Sequence, residues 1–135
     1  LSQASLMIRR EKCIVIDVDG TLCEKKAPDQ AYSDVRPNDT IVARLREYRD
    51  AGFYVILATA RNMNTHSGNV GLITATTAKT LMQWLDAHAI PYDELHVGKP
   101  WAGKGGFYVD DKAIRPDEFE RLSYEQILDL VGGED

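Results

Sequence analysis

Cys13-Ile14-Val15-Ile16-Asp17-Val18-Asp19-Gly20-Thr21 is a short apolar run that stops abruptly in a polar turn. Consecutive apolar residues bounded by turn formers read as a strand buried on both faces. Strands of that kind belong to parallel sheets covered by helices, so the rest of the chain should alternate between the two. The carboxylates Asp17 and Asp19 fall where this strand ends.

The chain after Thr21 follows the expected alternation. Residues 23–36 are mixed and charged, without period, and read as a loop or small flap. Pro37-Asn38-Asp39 signals a helix start, Ile41, Leu45 and Tyr48 share a helical face, and Gly52 closes the helix. Phe53 to Ala58 is a second buried strand ending at Thr59-Ala60-Arg61. Residues 62–74 read as a polar loop. Ala78, Leu81, Leu85 and His88 mark a second amphipathic helix ended by Pro91, and residues 94–97 form a third strand. A glycine-rich loop over 98–106 leads to a fourth, Phe107-Tyr108-Val109, ending at Asp110-Asp111. Pro116 opens a helical turn, and Ser123 with Gln126 forms a capping box for a last helix. Strands alternating with helices predict an α/β fold with a doubly wound, Rossmann-like parallel sheet.

The 135 residues suit one domain, here 11–135, with 1–10 as an N-terminal extension or a remnant of cloning. Residues 1–10 lack the apolar core of a secretory signal, and no apolar run approaches the ~20 residues of a membrane helix. A net charge of −5 argues against broad contact with nucleic acid. The two cysteines, Cys13 and Cys23, are too few for a disulfide framework and fit a reduced, cytoplasmic setting.

Open α/β sheets bind ligands beyond the carboxyl ends of their strands. Three of the four predicted strands end in reactive residues: Asp17/Asp19, Thr59 and Asp110/Asp111. The third runs into Gly98-Lys99-Pro100. Each residue alone has an ordinary reading, as a turn former, a helix cap or a solvated lysine. Their order and placement together give four carboxylates, a hydroxyl and an ammonium group at one sheet edge. Other candidates are weaker. His66-Ser67 lacks a suitably placed acid, and His88 and His96 read as packed histidines. Gly103-Lys104-Gly105-Gly106 lacks the phosphate-loop pattern.

Asp17-Val18-Asp19-Gly20-Thr21, Thr59, Lys99 and Asp110-Asp111 resemble the four motifs of the haloacid dehalogenase (HAD) superfamily, in order and in strand context. Ala58 to Met63, Gly98 to Trp101 and Gly106 to Pro116 resemble, more closely, the small HAD phosphatases of capsular polysaccharide biosynthesis. The segment Thr74 to Thr80 departs from that group. The resemblance implies a HAD-like core and phosphate-ester hydrolysis. It also implies that Asp19 offers a metal its backbone carbonyl rather than its side chain.

The residues suit those roles chemically. The Asp17 carboxylate can attack phosphorus to give an aspartyl-phosphate. Asp19 can protonate the leaving oxygen and then activate water. Gly20 permits a tight turn, and Thr59 can donate to a phosphoryl oxygen. Lys99 offsets anionic charge. Gly20, Thr21, Ala60, Arg61 and Asn62 are the expected substrate contacts. One lysine cannot balance four carboxylates facing a phosphate, since each unit-charge pair at 4 Å is worth about 4 kcal/mol at an effective dielectric near 20. Mg²⁺, held by Asp17, Asp19, Asp110 and Asp111, can.

The expectation is an Mg²⁺-dependent phosphatase acting on a small phosphorylated metabolite such as a sugar or polyol phosphate. A polynucleotide 3′-phosphatase, which would also use a Thr-x-Arg second motif, and a non-catalytic phosphate-binding domain are the alternatives. Residues 23–36 and 62–74 are too short for a folded cap domain, so a homo-oligomer is expected in which a neighbour, or the 62–74 loop, covers the site. No membrane or nucleic-acid partner is expected.

Overall fold

A computed structural model describes residues 9–133. The chain divides into two compact units, Leu1–Trp101 and Ala102–Asp135. The extension expected over 1–10 lies outside the described residues except at 9 and 10, which already belong to the first strand.

The first unit is built on three parallel strands in the order β1 (Arg9–Asp17), β2 (Phe53–Thr59) and β3 (Glu94–Val97). The fold is an open parallel α/β sheet with flanking helices. Ile14 is level with Val55, Ile16 with Leu57, and Asp17 with Ala58. On the next ladder Thr59 is level with Val97. That register brings the ends of β1, β2 and β3 to one edge, as the sequence predicts.

Helix α1 (Asp39–Asp50) buries Ile41, Val42, Leu45 and Tyr48. These positions follow the i, i+4, i+7 spacing of a core-facing stripe. Gly52, at φ 94°, ends the helix in the left-handed conformation that glycine tolerates best. The Tyr48 and Phe53 rings meet edge to face at 5.0 Å, which ties α1 to the start of β2. Val55 and Leu57 of β2 and Leu81, Trp84 and Leu85 of α3 (Thr77–Ala87) complete this core. Arg46 of α1 donates to the His88 carbonyl at 2.9 Å, joining the C-terminal end of α3 to α1.

Three expectations for the first unit need correction. The run 13–16 is buried on one face only: Ile16 is buried, while Val15 is 66% exposed. The pleat sends alternate side chains to opposite faces, and β1 is an edge strand with one neighbour in this sheet. The predicted loop 62–74 contains a helix, α2 (Val70–Ala75), started by Asn69, whose side chain accepts from the Leu72 amide at 3.0 Å. His96 is exposed rather than packed, and its Nε2 lies 2.8 Å from Glu94 Oε1.

The flap over residues 23–36 is anchored at both ends. Cys23 bridges Asp19 on one side and Pro37 on the other. The Asn38 amide donates to the Leu22 carbonyl at 2.8 Å. A single 3-10 turn, Tyr32–Asp34, leads to buried Val35. The Val35 carbonyl accepts from the Trp84 indole N–H at 2.9 Å.

In the second unit, Phe107-Tyr108-Val109 forms no strand and is exposed, contrary to expectation. Three residues after a glycine-rich loop hold strand geometry only with a ladder partner. The helices there follow the sequence: α4 (Pro116–Arg121), and α5 (Tyr124–Val131) with its Ser123/Gln126 capping box at 2.9 and 3.2 Å. Among the described residues, no helix is long and apolar enough to cross a membrane.

Candidate active site

Asp17 is the last residue of β1, and the chain turns sharply after it. The amides of Thr21, Leu22 and Cys23 all donate to the Val18 carbonyl, at 3.1, 2.9 and 3.2 Å. Gly20 makes that turn possible at φ 84°, a conformation costly for any residue with a Cβ. The turn points Asp17 and Asp19 out of the sheet edge, where they meet different partners.

Lys99 Nζ lies 3.5 Å from Asp17 Oδ1, and Thr21 Oγ1 lies 3.5 Å from Oδ2. Burial pushes the Asp17 carboxyl above the ordinary carboxylate range. Lys99 and the Val18 amide pull it down, and the like charge of Asp19 adds to the rise. Asp17 is thus a half-buried carboxylate whose protein partners compensate its charge incompletely. That environment favours a nearby cation.

Asp19 is gripped instead. Arg61 Nε donates to Oδ2 at 3.1 Å and Nη2 to Oδ1 at 2.8 Å, a two-pronged pair. The Arg61 side chain is only 2% exposed, against 26% for Asp19. The Tyr32 ring covers the guanidinium, with its centroid 4.0 Å from Arg61 Cζ. Burial, then the Asp19 charge, raises the Tyr32 phenol. Burial, again with Asp19 beside it, pushes the Cys23 thiol up to about 12. Cys23 is therefore a packed neutral thiol, not a nucleophile.

The end of β2 supplies the next pair of contacts. Thr59 is buried, and its hydroxyl accepts the Arg61 amide at 3.0 Å. Acting as acceptor there, the hydroxyl keeps its proton to donate elsewhere. The Thr59 carbonyl accepts the Lys99 amide at 3.1 Å. Gly98 precedes Lys99 at φ 83°, and a Cβ there would come within 2.9 Å of Val70 Cγ2. Lys99 is thus aimed by backbone contacts with the end of β2 and a close approach to α2.

The structure brings Asp17, Asp19, Thr59, Lys99, Gly20, Thr21, Ala60, Arg61 and Asn62 together in the first unit. Asp110 and Asp111 lie in the second unit, where Asp110 Oδ1 accepts from the Lys112 amide at 2.8 Å. Among the described residues, no three histidine, cysteine or acidic side chains cluster as a metal site. The Asp17 environment nevertheless fits a hard cation. With the Asp19 side chain held by Arg61, a carbonyl rather than a carboxylate contribution from residue 19 suits the arrangement.

Arg61 is committed to Asp19, and Asn62 donates to Thr77 Oγ1 at 2.7 Å. Both also line a pocket of about 290 Å³, together with Tyr32, His66, Thr76, Thr77 and Thr80. The polar segment 62–74 offers Asn64, Thr65 and Asn69 as further hydroxyl partners by sequence. Asn69 caps α2 instead, and none of the three lines this pocket. Tyr32, His66 and the three threonines line it without having stood out as contacts in the sequence. The run Thr76-Thr77-Ala78-Lys79-Thr80 held a usable signal, since hydroxyls at i, i+1 and i+4 put a polar face on the start of a helix.

The family described as haloacid dehalogenase-like hydrolase matches residues 14–71. A target protein from Vibrio cholerae, solved as a crystal structure, is 45% identical, with a TM-score of 0.85 over 90% of this chain and 97% of that one. Two chains from structures of the Pnkp1/Rnl/Hen1 complex, one titled an RNA repair complex, are 19% and 21% identical, with TM-scores of 0.46 and 0.47. They are covered over 30% and 34% of their length, against 72% and 82% of this chain. No curated protein matches.

Proposed function

The chain belongs to the haloacid dehalogenase-like hydrolases, and we propose that it is an Mg²⁺-dependent phosphatase of a small phosphorylated metabolite, a sugar or polyol phosphate. The observation that carries the reading is the unequal treatment of two carboxylates at one strand end. Asp17 is held loosely, by the Val18 amide and by Lys99 at 3.5 Å, whereas Asp19 is held in a fixed orientation by Arg61. One carboxylate is poised to react and the other to be aimed, which is what a nucleophile and a general acid require.

In the proposed reaction an Asp17 oxygen attacks phosphorus and forms a P–O bond as the ester P–O bond breaks. Asp19, protonated for this step, gives its proton to the leaving alkoxide. Water, deprotonated by Asp19, then attacks phosphorus and releases phosphate from Asp17. Lys99 balances charge on the phosphoryl group, and the Thr59 hydroxyl donates to one of its oxygens. Mg²⁺, when bound, supplies charge neutralisation through the Asp17 carboxylate and the Asp19 carbonyl. On sequence grounds Asp110 and Asp111 complete the ligand set.

The resemblance to capsular polysaccharide phosphatases supports a role in cell-surface polysaccharide synthesis. Two free cysteines, one of them exposed, suit a cytoplasmic setting. Phosphate release with Mg²⁺, measured at fixed ionic strength, tests the reading. A hexose or polyol phosphate should exceed a 3′-phosphorylated oligonucleotide by at least about tenfold in kcat/KM. A preference for the oligonucleotide that collapses with added salt would favour the polynucleotide 3′-phosphatase. No turnover of any phosphate ester would leave the non-catalytic binding domain.

A further inference from the structure

We infer that the pocket walled by the start of α3 is the leaving-group subsite, and that it selects an uncharged polyhydroxylated group through Thr80, Thr76 and His66. The inference rests on the phosphatase reading and assigns specificity to residues outside the HAD motifs.

Position comes first. The pocket begins at Arg61, the residue whose guanidinium holds Asp19 at 2.8 and 3.1 Å. Asp19 is the proposed donor to the leaving oxygen. A group bonded to that oxygen therefore projects toward the Arg61 side of the site.

Charge comes next. No carboxylate and no lysine lines the pocket. Its one permanent cation, Arg61, has Nε and Nη2 on the two Asp19 oxygens and its face under the Tyr32 ring. A second phosphate or a carboxylate would find no uncommitted permanent charge there.

The hydrogen-bonding groups match hydroxyls. Thr76 donates to the Leu72 carbonyl at 2.7 Å, which leaves its oxygen as an acceptor. Thr77 accepts from Asn62 at 2.7 Å, which leaves its proton to donate. Among the described residues, the Thr80 hydroxyl and the His66 imidazole have no hydrogen-bond partner in the chain. Donors and acceptors are thus interleaved, as a polyol presents them. At about 290 Å³ the space falls just under the ~300–1,000 Å³ range of ligand pockets and suits a single sugar-sized group.

The test compares two esters of one carbon skeleton, sorbitol 6-phosphate and n-hexyl phosphate, with p-nitrophenyl phosphate as a general substrate and Mg²⁺ supplied. The wild type should prefer the sorbitol ester by at least about tenfold in kcat/KM, because a site built around hydroxyls discriminates against a ligand lacking them. Thr80→Val and His66→Ala should each cut that preference at least about threefold, chiefly through KM for the sorbitol ester. Lys79→Ala, one residue from Thr80 and outside the pocket, should keep the wild-type ratio. Turnover of p-nitrophenyl phosphate without preference for the sorbitol ester overturns the subsite and leaves the phosphatase reading standing. So does an equal loss on both esters in the pocket variants. No turnover of any of the three esters overturns the phosphatase reading, and the subsite falls with it.

Discussion

Replacing Arg61 by Met should destabilise the metal-free protein by about 2–3 kcal/mol, and most of that loss should vanish when Asp19 is already Ala. Surface ion pairs are worth ~0.2–1 kcal/mol, whereas removing one partner of a buried pair costs ~3–5 kcal/mol. This pair lies between those limits, because Arg61 is 2% exposed and Asp19 26% exposed. Two hydrogen bonds, at 3.1 and 2.8 Å, join them. The stacking of Tyr32 on the guanidinium adds ~0.5–1 kcal/mol that Met also removes. For a chain of this length, 1 kcal/mol corresponds to roughly 3–4 °C, so Tm should fall by about 8 °C. Chemical denaturation of wild type, both single variants and the double variant, all in chelator, gives the coupling directly. We expect about 2 kcal/mol between the two positions. A coupling below about 0.5 kcal/mol, the scatter of independent sites, would refute the view that Arg61 holds Asp19 in place. Arg61→Lys should not restore the coupling, since a point charge cannot reproduce two parallel N–H bonds.

Asp17→Asn should abolish turnover yet leave the metal-free protein at least as stable at neutral pH, as denaturant midpoints would show; a clearly lower midpoint contradicts it. Burial raises the folded-state pKa of Asp17 above 3.8, so its favourable contribution is complete below the unfolded value and is lost as pH rises through the folded one. The advantage of Asn should therefore shrink toward zero on acidification below about pH 4. Chelator should remove phosphate release and added Mg²⁺ restore it, whereas activity that persists in chelator would exclude the proposed metal role. Gly20→Ala should lower stability by about 1–2 kcal/mol through its φ of 84°, and turnover more steeply because both aspartates shift. Light scattering should find an oligomer at assay concentrations, and a fully active monomer would remove the neighbour from the account.

The strand ends were legible because a continuous apolar run and its polar stop need no tertiary information. Asp17 and Thr59 followed from that, Lys99 needed the order of all four strand ends, and the sheet register places the three together. Burial was less legible. Val15 and Ile16 are equally apolar, and only the neighbours each face receives decide that one is exposed. Helix α2 was hidden because Gly71 and Thr74 are weak helix formers, while the capping role of Asn69 shows only in its hydrogen bond. The sequence placed Arg61 near the acids without revealing that both its prongs are used by Asp19. The pocket was least legible, since it joins Tyr32 of the flap, His66 of a loop and Thr80 of α3. Proximity between such distant positions is made by packing and leaves no local pattern.

The bond from the Trp84 indole to the Val35 carbonyl has a kinetic meaning. It spans 49 positions of sequence and is buried. The segment carrying Tyr32 is held by it on one side and by the Cys23 bridges on the other. Swinging that segment outward would strip a buried carbonyl of its donor, a cost of about 1–3 kcal/mol with no water to replace it. Residues 23–36 should therefore behave as a fixed wall rather than a door. Amide exchange at Val35 and Asn38 should be slower than in an untethered loop by about 5–150-fold, the factor that ~1–3 kcal/mol gives.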